Sequence, residues 1–179
     1  MAGKDRIYEP LEDSYFLQES VRKRFNQAVH KTCLDMGTGS GIIARTLRSL
    51  GAENVVAIDI SRGALKSQKG RRILSDLFSG TRGKFDFIMF NPPYLPDDGG
   101  EPDPATIGGK NGYETAMRFL DQLPEHLTPK GECLLLISSH TNPGAVESFM
   151  RSRGLRFRII SRRKLFFEEL FVYLVRLRP

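Results

Sequence analysis

No tryptophan occurs among the 179 residues, and there are only two cysteines and three histidines. Cys33 and Cys133 lie far apart in apolar stretches, with no Cys-x-x-Cys pair. That excludes a disulfide framework and reads as two buried thiols. His30, His126 and His140 are scattered without ligand spacing, so no metal site is expected, and His140 reads as a satisfied loop histidine. No run of 18 apolar residues is present, which excludes a membrane-spanning helix. The first residues, Met1 to Arg6, lead into polar sequence rather than an apolar signal core. A cytoplasmic chain without a membrane partner is expected. Repeats and low-complexity tails are also missing, and the length leaves no room for a second full-sized domain, so residues 1–179 are expected to form one domain.

Charge of one sign is in mild excess, at a net +6. A basic surface suits acidic partners such as RNA or a ribonucleoprotein, although acidic residues are also plentiful. Seven of the cations, Arg151, Arg153, Arg156, Arg158, Arg162, Arg163 and Lys164, fall close together. Part of this group alternates with apolar residues in Leu155-Arg156-Phe157-Arg158-Ile159. Period-2 alternation reads as the wet face of a strand, and a docking surface for a charged partner is the sharper reading.

Helical and extended segments alternate. Phe16 to Phe25 carries apolar residues at helical spacing, with Asp13 or Ser14 as a cap. Thr32 to Met36 reads as a strand, Ile42 to Leu50 as a helix stopped by Gly51, and Asn54 to Ile60 as a strand. Arg71 to Leu77 and Phe85 to Phe90 read as two more strands, the latter stopped by Pro92 and Pro93. A long loop from Leu95 to Asn111 follows, of a length that compact domains rarely carry without a use. Tyr113 to Leu127 reads as a helix that Pro124 could break, Gly131 to Ser139 as a central strand and Pro143 to Arg153 as a helix. Leu155 to Phe167 and Leu170 to Leu177 read as a closing antiparallel pair. Such alternation predicts an α/β fold: a parallel sheet with helices on both faces and an antiparallel strand at or near one edge.

Two motifs carry chemistry. Asp35-Met36-Gly37-Thr38-Gly39-Ser40-Gly41 lies between a predicted strand and a predicted helix, the context in which a glycine turn binds a ligand. The helix start presents free N–H groups and a partial positive charge. Asp59 ends the next strand, where an acid takes hydrogen bonds from ribose hydroxyls. The Gly-x-Gly-x-Gly spacing departs from a pyrophosphate cradle and suits a nucleoside with a small charged tail, such as S-adenosylmethionine. Asp76 closes the following strand, where it could meet an adenine amino group.

The second motif, Asn91-Pro92-Pro93-Tyr94, follows the fourth predicted strand, and in an open parallel sheet ligands bind at the carboxyl ends of strands. The lone pair of a planar amide or exocyclic amine is delocalised, so such a nitrogen is a poor nucleophile. The Asn91 side-chain oxygen and the Pro92 carbonyl can each accept a hydrogen bond from a target NH2 and steer its lone pair. Both prolines stiffen the turn and remove donors, and Tyr94 can stack on a planar target. The gain is orientation and electrostatics.

Together, Asp35 to Gly41 and Asn91 to Tyr94 resemble the motifs of the HemK family of glutamine N5-methyltransferases, which modify the Gly-Gly-Gln loop of translation release factors. The segments Tyr8-Glu9-Pro10-Leu11-Glu12-Asp13-Ser14, Phe90 to Pro96, and Gly108-Gly109 to Gly112 followed by Arg118-Phe119-Leu120 are similar to the short archaeal and eukaryotic branch. The resemblance spans nearly the whole chain. It implies a Rossmann-like class I methyltransferase, with a seven-stranded, mostly parallel sheet whose last strand is antiparallel. It also implies roles: Tyr8, Asp13 and Ser14 at the methionine end of S-adenosylmethionine, and Asp35 and Gly37 at its amino acid part, within a turn that includes Thr38, Gly39 and Gly41. Asp59 followed by Ile60 then falls at the ribose, Asp76 and Leu77 at the adenine, and Asn91 to Tyr94 at the target amide, with Asn91 also among the residues that contact the cofactor. A small zinc-binding activator subunit covering an apolar sheet edge is a further implied partner. One departure is the segment Ile60 to Arg71, shorter than the family's usual helix and loop, which leaves the adenine side more open.

Two other readings stand beside this one. A nucleic-acid methyltransferase acting on adenine N6 or guanine N2 uses the same amine chemistry, and the positive charge suits it, but it needs a pocket for a flipped base. A non-catalytic subunit that binds a methyltransferase is the other, against which the intact Asp59 and Asn91 motifs argue.

Overall fold

A computed structural model describes residues 9–100 and 103–178. The elements run α1 (Glu12–Arg24), β1 (Thr32–Met36), α2 (Ile42–Ser49), β2 (Asn54–Asp59), α3 (Arg62–Lys66), β3 (Arg71–Leu74), β4 (Phe85–Phe90), β5 (Leu95–Pro96) and β6 (Ile107–Gly109). They continue with α4 (Glu114–His126), β7 (Leu127–Ser138), α5 (Pro143–Ser152), β8 (Arg156–Lys164) and β9 (Glu169–Arg176).

Seven strands form one sheet in the order β3-β2-β1-β4-β7-β9-β8. β9 inserts antiparallel between β7 and β8, and every other described pair in that sheet that excludes β9 is parallel. This is the expected seven-stranded class I sheet with its last strand antiparallel.

The central strands are apolar along their length because helices cover both faces. Alternate residues supply the two layers. Leu34, Met36, Ile88 and Phe90 point to the side of α4 and α5, packing with Phe119, Leu120, Leu123, Val146 and Met150. Cys33, Phe87 and Met89 point to the other side, against Leu17 and Val21 of α1 and Ala44 and Leu47 of α2. Both cysteines are buried free thiols. Burial pushes the Cys33 thiol up to about 12, with a smaller contribution from the Asp86 carboxylate.

Several boundaries differ from the sequence reading. α1 begins at Glu12 with Leu11 as its N-cap and without a side-chain cap, so neither Asp13 nor Ser14 caps it. Both lie in its buried first turn instead, where acids are favoured by the helix dipole. β3 stops at Leu74, and the chain turns through Ser75 and Asp76 into a single 3-10 turn at Leu77–Gly80. Pro124 does not break α4, which reaches His126. β7 begins at Leu127 rather than Gly131, because Leu127 pairs with Phe85 across an irregularity and Thr128 bonds Asp86. The long loop contains a parallel two-stranded ribbon, β5 with β6. The short segment after Asp59 holds α3, which sequence periodicity did not reveal.

Candidate active site

The glycine turn follows from backbone geometry. Gly37, Gly39 and Gly41 all have positive φ, and Gly41, at φ 77°, is the N-cap of α2. A Cβ on Gly41 would strike the side-chain amide of Gln68, so a non-glycine residue there meets both strain and a clash. The turn is then tied down by two acids. Asp35 Oδ2 accepts hydrogen bonds from Thr38 Oγ1 (2.7 Å) and the Ala44 amide (3.0 Å), clamping the turn to α2. Asp59 accepts from the Gly39 amide (2.8 Å) and the Ser61 amide (2.8 Å). Burial pushes the Asp35 carboxyl up to about 7, against the lowering effect of those bonds. Asp59 is raised as well, again by burial first.

β4 delivers the second motif to the same end of the sheet, beside β1. The Asn91 amide nitrogen donates to Asp13 Oδ2 at 2.9 Å. A carboxylate only accepts, so this contact sets which end of the amide is which. Asn91 Oδ1 is thereby left buried without a hydrogen-bond partner, the sole such side-chain atom among the described residues. An orphaned buried acceptor is costly and is usually retained for a reason. Tyr94 packs beside α1. Burial first, then the carboxylates of Asp13, Glu168 and Glu12, push its hydroxyl well above the ordinary tyrosine range.

A cavity of about 390 Å³ joins the two motifs. Asp13, Ser14, Asp35, Gly37, Thr38, Gly39, Asp59, Ile60, Asp76, Leu77 and Asn91 to Tyr94 all line it. Gly41 is not a lining residue and acts through the turn. Tyr8 lies outside the described residues. Asp76 is half-exposed and already holds an ion pair with Arg118 (2.6 Å). Leu77 sits at φ 49°, a strained conformation for a branched side chain, on the same rim.

Sequence reasoning missed part of the wall. Leu11 and Leu17 of the α1 region, Pro104 to Ile107 of the long loop, and Thr115 and Arg118 of α4 also line the cavity. No local pattern marks them. Leu11, Leu17, Thr115 and Arg118 reach the site through the packing of α1 and α4 on the sheet, and the loop residues because the β5–β6 ribbon folds back over the Asn91 motif. A Cβ on Gly108 would collide with the Pro93 carbonyl oxygen, so glycine there permits the close approach. His140 is exposed in the turn after β7 and does not line the cavity. No helix among the described residues is long and apolar enough to cross a membrane. On β8, Arg156, Arg158, Arg162 and Lys164 are exposed, as the wet-face reading expected.

The family model for the methyltransferase small domain matches residues 14–164. A protein of Methanocaldococcus jannaschii named as a protein N5-glutamine methyltransferase is 36% identical, over 93% of this chain and 89% of its own length. Methyltransferase HEMK2 of Mus musculus is 31% identical, over 84% of this chain and 80% of its own. Among solved structures, the E. cuniculi Mtq2–Trm112 complex, responsible for methylation of the eRF1 translation termination factor, matches with a TM-score of 0.81 and 31% identity, over 96% of this chain and 99% of that one. The glycine turn, the Asn91 motif and likeness along nearly the whole chain agree: this protein belongs to the methyltransferase small-domain family and, within it, to the HemK-type protein glutamine N5-methyltransferases.

Proposed function

We propose that residues 1–179 act as one domain that transfers the methyl group of S-adenosylmethionine to the side-chain amide nitrogen of a glutamine, in the Gly-Gly-Gln loop of a translation release factor. The observation that carries this reading is the orphaned, buried Asn91 Oδ1 in the cavity wall. It is an acceptor waiting for a donor, and a primary amide brings two.

The residues present fit S-adenosylmethionine. The glycine turn at the α2 N-terminus suits the carboxylate of its methionine part, and Asp59 has lone pairs left for a ribose diol after its backbone bonds. Asp76 and the apolar Ile60 and Leu77 suit the adenine, with Arg118 holding one Asp76 oxygen. When bound, this cofactor supplies an electrophilic methyl group on a sulfonium.

The protein's own part is placement. Asp13 holds the amide nitrogen of Asn91, which leaves Oδ1 as the free acceptor of that side chain. Oδ1 and the Pro92 carbonyl accept the two N–H bonds of the glutamine and turn its nitrogen lone pair toward the methyl. Positive charge grows on that nitrogen as the new bond forms, and the two oxygens stabilise it until a proton leaves to solvent. Tyr94 and the apolar walls keep water from competing. A small zinc-binding activator fits the β3 edge, where Leu74 is exposed, better than the β8 edge with its row of cations.

The test is methyl transfer from labelled S-adenosylmethionine to a release factor, to its Gly-Gly-Gln variant with glutamine replaced by alanine, and to total RNA. Wild-type protein is expected to label only the intact factor. Asn91→Ala is expected to lower kcat by about 10²–10³ while cofactor binding holds within roughly threefold. Label on RNA, or on the glutamine-less factor, sinks the proposal.

A further inference from the structure

At the tip of the β8–β9 hairpin, Phe166 and Phe167 are 91% and 83% exposed, the two most exposed large hydrophobic residues described. Hairpin tips ordinarily carry glycine, asparagine or aspartate. Here two adjacent benzyl groups meet edge-to-face at 4.5 Å and gain little from the fold. The turn beneath them is closed by a bond from the Leu165 amide to the Glu168 carbonyl (2.8 Å).

The hairpin's place gives it meaning. Ser138, the last residue of β7, donates through Oγ to Glu168 Oε2 at 2.6 Å. The Glu169 amide donates to Ser139 Oγ at 3.0 Å. These bonds pin the hairpin base to the carboxyl end of the sheet, the end that carries Asn91. The carboxylate of Glu168, in the turn itself, lies near enough to Tyr94 to help raise its hydroxyl, so the tip stands on the side of the motif that receives the target amide. Behind the tip, Arg158, Arg162 and Lys164 lie exposed along β8, and Arg163 pairs with Glu19.

We propose that Phe166 and Phe167 form a docking element for the protein substrate, inserting into an apolar recess bordered by acidic groups on the surface beside the target glutamine. This rests on the glutamine reading above. Paired aromatic anchors next to cations are what protein interfaces use as energetic centres, with the charges guiding approach. A single-stranded nucleic acid instead favours flat aromatic faces presented to successive bases, whereas these two rings are turned against one another at 83°. The hairpin lies on the β8 side of the sheet, away from β3, so a subunit on the β3 edge leaves it open.

The experiment compares wild-type protein with the Phe166→Ala/Phe167→Ala double variant on two substrates: a folded release factor and a short synthetic Gly-Gly-Gln peptide. Both side chains are exposed, so melting temperature and S-adenosylmethionine affinity are expected to match wild type. The KM for the folded factor is expected to rise roughly tenfold with kcat unchanged, while the peptide KM stays put. Lys164→Glu is expected to raise the same KM at low salt, with the effect fading as salt is added. An unchanged KM for the factor overturns the proposal, and so does an equal rise for the peptide, which would make the hairpin part of the catalytic pocket. Loss of total-RNA binding by the double variant, with the factor's KM unchanged, would make this a nucleic-acid surface. If wild-type protein methylates the peptide but not the factor, docking fails and the glutamine reading survives. If it methylates neither, both fall.

Discussion

Two buried acids in one sheet meet opposite fates. Glu132, on β7 near the amino end of β1 and β4, is surrounded by hydrogen-bond donors: Arg24 and Arg176 bond its carboxylate, and His30 approaches within 3.6 Å. Burial raises its carboxyl, but the bonds from His30, Arg24 and Arg176 outweigh that and hold it well below the ordinary range. Asp35, on β1 near the carboxyl end, has hydrogen bonds and no adjacent cation bonded to it, and burial takes it up to about 7. The amino end is neutralised and serves as frame. The carboxyl end keeps an uncompensated acid, a strained Leu77 and an orphaned Asn91 oxygen, each a cost borne where ligand is to bind.

Breaking the frame is expected to have the largest effect. Glu132→Gln leaves Arg24, Arg176 and His30 facing each other. Removing one partner of a buried ion pair costs roughly 3–5 kcal/mol, and the exposure of the two arginines (34% and 48%) argues for about 3. Denaturant unfolding checks this. The wild-type acid limb follows with the same sign: a lowered folded pKa means that the Glu132 contribution is present above pH 4.5 and is lost as pH falls below it.

Loosening the site's geometry comes next. Asp13→Ala frees the Asn91 amide to rotate, so kcat is expected to fall about a hundredfold. Stability should change little, and S-adenosylmethionine affinity should separate the two roles of Asp13. If affinity falls with kcat, Asp13 belongs to the cofactor wall; if kcat alone falls, it orients Asn91.

The smallest effect sharpens the comparison. Asp35 has a raised folded pKa, so its burial favours the protonated form, and stability is lost as pH rises from about 4 through about 7. Asp35→Asn removes that loss while retaining an acceptor for Thr38 and Ala44. Above pH 7 its melting temperature is expected to exceed wild type by about 3 °C, with activity reduced. A variant less stable than wild type at pH 8 would show that the ionised carboxylate stabilises the turn after all.

The site was unevenly legible. Motif residues carry their meaning locally. Gly37 to Gly41 can be placed because glycines after an apolar run and before a helical pattern have few other uses, and Asn91 to Tyr94 because two prolines end a strand abruptly. Asp13 was legible as a site residue only by resemblance, and its bond to Asn91 spans 78 positions of chain. Its reading as a helix cap failed because α1 starts a turn earlier, where burial against the site outweighs capping. The β5–β6 ribbon carries no periodicity, since two- and three-residue strands are too short to show one. Gln68, which fills the space under Gly41, looked like any polar residue in a short loop.

By itself the sequence determined the alternating fold, the two motifs at strand ends, the two buried thiols and the antiparallel close of the chain, because each rests on spacing or on residues with narrow conformational options. Only the tertiary structure decided that Asp13 takes the nitrogen of the Asn91 amide and leaves Oδ1 without a partner, that Arg118 reaches Asp76, that the long loop walls the site, and that Phe166 and Phe167 stand exposed at the tip of the β8–β9 hairpin. Those outcomes depend on contacts between distant segments, and such contacts are set by how whole elements pack rather than by any local preference along the chain.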